Sequence, residues 1–388
     1  MSKRAVAVAI TLVLLAVGGF AQTWTALGPW ATAVSPTEAV VTWKAPEPTT
    51  GRVKYAPAEA GPPWDWLVEP VNGSTGEPVA TVASVRLVSL SPGTRYAYRV
   101  VLASGEESPA AFFSTPPTAS GPFVFLVYGD TRTHYDHHRL VAEQMSQEED
   151  AAFVVHLGDL VESPSDLEWG QFLDSGADLF RSTGFYPVLG NHERNHSTYY
   201  ELFSLPPGGG RGKEQWWSLR WGDVLLVGLD SNLTYLKFTG LRDQTDWLSA
   251  TLAAEARYKF VFFHHPLYSS DEHYGGDEGL AKLWAPILRE HNVAVVFVGH
   301  AHNYEHIVRD GVHYFVTGGG GAPLAPLSPV RVEGSVFGVD FVLHYLRVEV
   351  GEGGVTVRMI PVAREESGGL VPLDGVPLEM VELGGGGQ

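Results

Sequence analysis

The chain of 388 residues contains no cysteine. That excludes disulfides, thiolate metal sites and cysteine-linked lipid. Stability must come from packing and from any metal held by oxygen and nitrogen donors. Positive charge is also scarce, with 26 Lys and Arg against 44 Asp and Glu. Such an acidic surface is a poor partner for a nucleic-acid polymer. It would also repel a small anion unless a local cation attracted it. The apolar run at 5–17 is shorter than a spanning helix, and no other segment is long and apolar enough to cross a bilayer. Histidine is missing from the front of the chain, and all 15 lie at position 134 or later. What is present is an ordinary apolar fraction of 44% and a length that suits two domains. The 44 glycines and 26 prolines favour short strands and frequent turns.

The start has the form of an export signal. Lys3 and Arg4 precede the apolar run "AVAVAITLVLLAV" at 5–17, and Gly19 and Ala21 offer the small residues of a cleavage site. Residues 1–21 are therefore expected to direct export to a secreted, periplasmic or cell-surface location, with no stable membrane span after removal. A retained N-terminal anchor is the alternative.

Two halves of different character follow. Residues 22–118 lack histidine but carry Trp24, Trp30, Trp43, Trp64 and Trp66. Strand-like runs at 38–43, 51–56, 83–90 and 94–102, separated by Pro and Gly turns, predict a small β-sandwich. Its aromatics are expected in the core and in packing between domains. "LSPGTRYAYRV" (90–100) resembles the turn and Tyr-bearing strand of fibronectin type III modules, with Tyr96 or Tyr98 as the corner tyrosine. "FSTPPTASGP" (113–122) reads as an exit strand and linker.

From 123 the grammar changes. "FVFLVYGDTR" (123–132), "AAFVVHLGDLV" (151–161), "GFYPVLGNHE" (184–193), "KFVFFHHP" (259–266) and "VAVVFVGHAH" (293–302) are apolar runs ending in a residue that can bind metal. Polar stretches of helical spacing, at 136–148 and 242–256, lie between some of them. Continuous apolar strands imply a sheet covered on both faces, and such folds place their sites at the strand ends. Runs at 313–320 and 342–360 are expected to be antiparallel strands closing a second sheet. Singly, each corner has an ordinary reading as a turn or helix cap. Five of them in order point to a metal site.

The series "GD…GDLV…GNHE…HHP…GHAH" resembles the calcineurin-like metallophosphoesterase superfamily, and with the front module it is similar to the purple acid phosphatases. The resemblance implies a four-layer αββα sandwich at 119–365, behind the β-sandwich of 22–118 and before a C-terminal tail at 366–388. It implies two metal ions, with Asp130, Asp159 and His302 on the first. Asp159, Asn191, His264 and His300 would hold the second, Asp159 bridging. His264 is preferred to His265 because the family ligand stands two residues before the proline. Imidazole and carboxylate accept Fe, Zn, Mn or Ni, so the donor set does not name the metal. By the same resemblance the metals polarise a phosphate ester and activate water as hydroxide for in-line attack. His192 contacts phosphate and can protonate the leaving oxygen, with Glu193 as its orienting partner. His273 matches the region of an additional substrate histidine. His306 is placed at the rim and His156 inside a strand.

The chain departs from the pattern at two positions. Where purple enzymes carry the iron-binding tyrosine that gives their colour, it has Glu162, which predicts a colourless protein. Where the wider superfamily has Asp-x-His, it has Asp130-Thr131-Arg132. Either Glu162 or water completes the first metal's shell, or that metal binds weakly. Arg132 serves as a phosphate clamp or as a salt-bridge partner. The function expected is an exported, metal-dependent phosphomonoesterase. The alternatives are a phosphodiesterase on nucleotides or phospholipid head groups, and a non-catalytic surface binding protein with a degenerate metal site. Oligomeric state has no signature in the sequence.

Overall fold

The structure, a computed structural model, describes residues 24–62, 65–70 and 81–384. The expected export signal and the last residues, 385–388, lie outside the described residues.

The front module is a sandwich of two antiparallel sheets. Strands β1 (Leu27–Ser35), β2 (Glu38–Lys44) and β5 (Val82–Leu87) form one; β4 (Leu67–Pro70), β3 (Gly51–Pro57), β6 (Arg95–Leu102) and β7 (Ala111–Ser114) form the other. Inward residues Val41, Trp43, Val53, Val85, Tyr98 and Phe113 make one apolar cluster between them. Tyr96 is the corner tyrosine, because its hydroxyl accepts the Ser91 N–H at 2.8 Å. Strand β1 is not confined to this module. Trp30, 1% exposed, packs into the core of the second domain and donates to Leu202 O at 2.9 Å. Thr32 donates to Phe185 O and Tyr186 donates back to Ala33 O, at 2.9 and 2.8 Å. The buried aromatic thus ties the two units together, as its apolar bulk requires.

The second domain stacks two mixed sheets. In the first, β10 (Gly184–Pro187), β9 (Ala151–His156) and β8 (Phe123–Tyr128) run parallel. They are followed by the antiparallel strands β19 (Val342–Gly351), β20 (Gly354–Glu366) and β21 (Gly369–Pro372), with β22 (Glu379–Gly384) also on β20. In the second, the order is β11 (Gly208–Gly209), β12 (Trp216–Trp221), β13 (Val224–Gly228), β14 (Tyr258–Phe263), β15 (Val295–Val298), β17 (Val312–Thr317), β16 (Tyr304–Arg309) and β18 (Ser335–Val339), with β13, β14, β15 and β17 parallel.

The period-two alternation of a strand separates the layers. Phe260, Phe262, Val295 and Phe297 face Phe125 and Phe153 of the first sheet, while Val261, Phe263, Val296 and Val298 face outward. Outside, helices α3 (Leu233–Leu252) and α4 (Glu278–Glu290) cover them through Leu248, Leu252, Trp284 and Leu288. On the other face α1 (Tyr135–Met145) and α2 (Asp166–Ser175) contribute Val141, Met145, Trp169 and Phe172 to the core. This is the expected helix–sheet–sheet–helix sandwich.

Two expectations are corrected. The 342–360 strands close the first sheet, not the second, because β19 pairs with β8. Residues 366–384 are not a tail, since β21 and β22 both hydrogen-bond to β20. The short β21 and β22 have mostly exposed or half-exposed side chains and depend on β20 for their order. The hairpin β12–β13 was not anticipated. No helix of the described residues is long and apolar enough to cross a membrane.

Candidate metal centre

Five strands, β8, β9, β10, β14 and β15, stop at the same end of the sandwich, and the chain turns there sharply enough to aim a side chain inward. Asp130, Asp159 and His300 adopt positive φ of 61°, 54° and 68°. That conformation is uncommon outside glycine and concentrates at functional sites, where surrounding structure must hold it. The loops also touch closely. A Cβ on Gly190 would stand 2.2 Å from Asp159 Oδ1, and one on Gly299 would stand 2.4 Å from Asp130 Oδ2. The glycines of "GNHE" and "GHAH" are therefore needed for backbone to lie against the carboxylates.

Six predicted ligands come together. His264 is fully buried, and its Nδ1–H donates to Leu157 O at 2.9 Å, which turns Nε2 into the site. Around Nε2 stand Asn191 Oδ1 at 3.0 Å, His300 Nδ1 at 3.2 Å and Asp159 Oδ1 at 3.3 Å. Donors bonded at about 2.0–2.1 Å in a tetrahedron would lie about 3.3 Å apart, and the three distances from His264 Nε2 match that spacing. Next to it, the Nδ1–H of His302 donates to Pro323 O at 2.7 Å and leaves Nε2 3.5 Å from Asp130 Oδ1. Asp130, buried, accepts the His300 N–H through both oxygens at 3.1 and 2.9 Å. Asp130, Asp159 and His264 form one group able to hold an ion, and His264, His265 and His300 another.

Electrostatics agree with a cation site. Burial alone would lower the pKa of His264, but the carboxylates of Asp159 and Asp130 outweigh it and hold the group up at about 9. Asp159 is held well below the usual carboxylate range against the cost of burial, through His264 and His192. His300 is pushed down to about 2 by burial and by the neighbouring imidazoles, which keeps it neutral and able to donate a lone pair.

The remaining predicted residues are placed differently. Glu162 is outside the ligand groups. Its Oε2 accepts from Arg132 Nη1 at 2.5 Å and from Thr133 Oγ1 at 3.0 Å, so the salt-bridge reading of Arg132 is the one seen. Arg132 Nε lies 3.4 Å from Asp159 Oδ2. The Nδ1–H of His192 donates to Glu162 O at 2.8 Å, and Nε2 faces Asp159 Oδ2 at 3.8 Å. Glu193 does not orient His192, as was expected. It accepts four backbone N–H groups, from Gly190, Leu160, Asp159 and Val161 at 2.7, 2.8, 3.0 and 3.3 Å, and so clamps two ligand loops together. His273 is exposed, and its ring meets Tyr274 at 4.7 Å. Tyr274, which the sequence did not single out, brings its ring within 4.4 Å of His300. Both sit on a loop tied by Asp271, which accepts their N–H groups at 2.9 and 2.8 Å.

His306 is not at a rim. It is buried between Glu379 and His313, at 2.9 Å from each. His156 is buried as expected; its Nδ1 accepts the Gly158 N–H at 3.2 Å, and its Nε2 meets Thr131 Oγ1 at 3.1 Å. It braces the loops of Asp130 and Asp159.

Comparison with known proteins places this arrangement. Residues 123–304 match the calcineurin-like phosphoesterase family, and residues 29–115 match the N-terminal domain of purple acid phosphatases. The chain thus carries a calcineurin-like phosphoesterase domain behind a purple acid phosphatase N-terminal domain. Purple acid phosphatase 1 of Ipomoea batatas is 26% identical over 241 residues, 55% of this chain and 49% of that protein. The phosphoenolpyruvate phosphatase of Allium cepa is 26% identical over 279 residues, 63% of this chain and 55% of that protein. The chain thus spans about half the length of the curated relatives it matches. In structure, a purple acid phosphatase from yellow lupin (Lupinus luteus) seeds superposes with a TM-score of 0.75 at 18% identity, covering 93% of this chain and 74% of that one. That likeness establishes a purple acid phosphatase-like fold for this chain.

Proposed function

We propose that this protein is an exported, metal-dependent phosphoester hydrolase that favours phosphomonoesters. One observation carries the reading. Six oxygen and nitrogen donors from five strand ends converge, and the ring nitrogens of His264 and His302 face the cluster because a carbonyl holds each Nδ1–H. The residues fit a metal. Asp159, Asn191, His264 and His300 would hold one ion, and Asp130, His302 and Asp159 are available for a second. Imidazole with carboxylate suits Fe, Zn or Mn. A bound ion supplies Lewis-acid charge for phosphoryl oxygens and lowers the pKa of water.

The chain's own groups do the rest. The metal site and the Arg132 guanidinium provide the local positive charge that a net charge of −18 otherwise denies an anionic substrate. His192, fixed by its bond to Glu162 O, presents Nε2 on the Oδ2 side of Asp159 and can transfer a proton to a leaving oxygen there. His273 and Tyr274, on the exposed loop, are placed to meet the organic part of the ester. Residues 1–21 would supply export, and the module of 22–118 would shape one wall through β1.

Parallel assays of nitrophenyl phosphate and bis-nitrophenyl phosphate, with Mn, Zn and Fe added in turn, test the assignment. Monoester turnover well above diester turnover is expected. Comparable diester turnover would make the protein a phosphodiesterase. Hydrolysis of neither ester, with no bound metal, would make it a binding protein.

A further inference from the structure

Arg132 stands two residues after Asp130, where the wider superfamily has a histidine ligand, and it is nearly buried, with 13% of its side chain exposed. We propose that the Arg132 guanidinium replaces the first metal ion, so that the protein holds one ion tightly, on Asp159, Asn191, His264 and His300. The guanidinium then serves as the second positive charge facing the substrate phosphate. This assignment rests on the metal-dependent hydrolase reading above.

Asp159 divides its oxygens. Oδ1 faces the second site, 3.3 Å from His264 Nε2, and accepts the His192 N–H at 3.0 Å. Oδ2, the oxygen left for a first ion, lies 3.4 Å from Arg132 Nε. Glu162, which could have completed that ion's shell, gives its Oε2 to Arg132 Nη1 and Thr133 Oγ1 at 2.5 and 3.0 Å, and its Oε1 lies 3.6 Å from His192 Nδ1. One guanidinium therefore occupies two of the first site's potential ligands. Asp130 and His302 remain, and two protein ligands are too few for a tight site. Unlike a proton, the guanidinium cannot be displaced by deprotonation, because it stays ionised at any working pH. Its Nε is buried without a hydrogen bond of good geometry, although the Asp159 carboxylate is near.

The test is metal stoichiometry on the full chain, stripped with chelator and titrated with Mn2+ by equilibrium dialysis, alongside electron paramagnetic resonance. The native protein should bind one equivalent tightly and a second at least ~100-fold more weakly, given the repulsion between like charges about 4 Å apart. Its resonance at two equivalents should be that of isolated Mn2+. Arg132→His, which restores a ligand, and Arg132→Ala, which only removes charge, should each tighten the second equivalent at least ~10-fold, and Arg132→His should add a spin-coupled signal. Binding of the first equivalent at least as tight as in the native protein checks that the variants are folded. Two equally tight equivalents in the native protein would overturn the assignment whatever the variants do. So would variants that still hold one. No bound Mn2+ at all would instead overturn the hydrolase reading beneath it.

Discussion

Replacing Glu193 by glutamine changes one oxygen to an NH2 group and leaves shape and volume intact. Each carboxylate oxygen accepts two backbone N–H groups: Oε2 from Asp159 and Gly190, Oε1 from Leu160 and Val161. In Glu193→Gln two buried donors therefore lose their acceptor and meet another donor. A buried donor left unsatisfied costs about 1–3 kcal/mol, so the fold should lose about 3 kcal/mol. Burial and the nearby Asp159 carboxylate push the Glu193 pKa up. A cation on Asp159 offsets the second influence, and four N–H donors then keep the group ionised. Because those donors belong to the loops that aim Asp159 and Asn191, metal affinity should fall as well, by about 10–100-fold, as for other groups that orient ligands. Urea unfolding of the metal-free and metal-loaded variant, with Mn2+ binding measured in parallel, reads both effects. Stability within about 0.5 kcal/mol of the native protein, with unchanged metal affinity, would refute the clamp. That result would mean that Glu193 is a neutral acid, which glutamine imitates at no cost.

Further expectations concern catalysis, pH and colour. Asp159→Asn should lower phosphomonoester turnover by at least ~100-fold while far-ultraviolet dichroism stays native, since the group faces both the ligand quartet and Arg132. Burial depresses the folded-state pKa of His138 to about 3. Its stabilising contribution is thus fully present above the unfolded value near 6.5 and drains away as pH falls toward the folded value. At pH 5 the loss is about 2 kcal/mol relative to pH 8, and denaturation curves at the two pH values should show it. In His138→Phe, which keeps a ring against Phe172, the pH dependence should shrink by that amount; an unchanged slope would contradict the linkage. Iron-loaded protein should show no strong visible absorption band, because Glu162 stands where the coloured enzymes carry tyrosine and is held by Arg132.

The strand ends were legible because each is written locally. An apolar run and a donor residue, with a glycine between them in four of the five, suffice to mark a turn toward a site, and the glycines at 190 and 299 lie against the carboxylates of Asp159 and Asp130. Partnerships between distant residues were not legible. Arg132 and Glu162 are 30 positions apart, and nothing near either one announces the pairing. His306 read as a rim residue because its partner, Glu379, lies 73 positions away on a strand whose side chains look like those of a tail. Sheet membership failed in the same way: the alternation at 342–360 announces strands, but only the pairing of β19 with β8 decides which sheet they join. Strand β1 was missed because Gly28 and Pro29 interrupt its start, although Trp30 then binds the two domains together.

The most direct test of the central claim is turnover of nitrophenyl phosphate by the full chain before chelation, after chelation and after Mn2+ or Zn2+ is restored, with His264→Ala treated identically. A metal-dependent hydrolase at this cluster predicts activity that vanishes with the metal and returns with it in the native protein alone. Activity that survives chelation, or equal recovery in His264→Ala, would contradict the account.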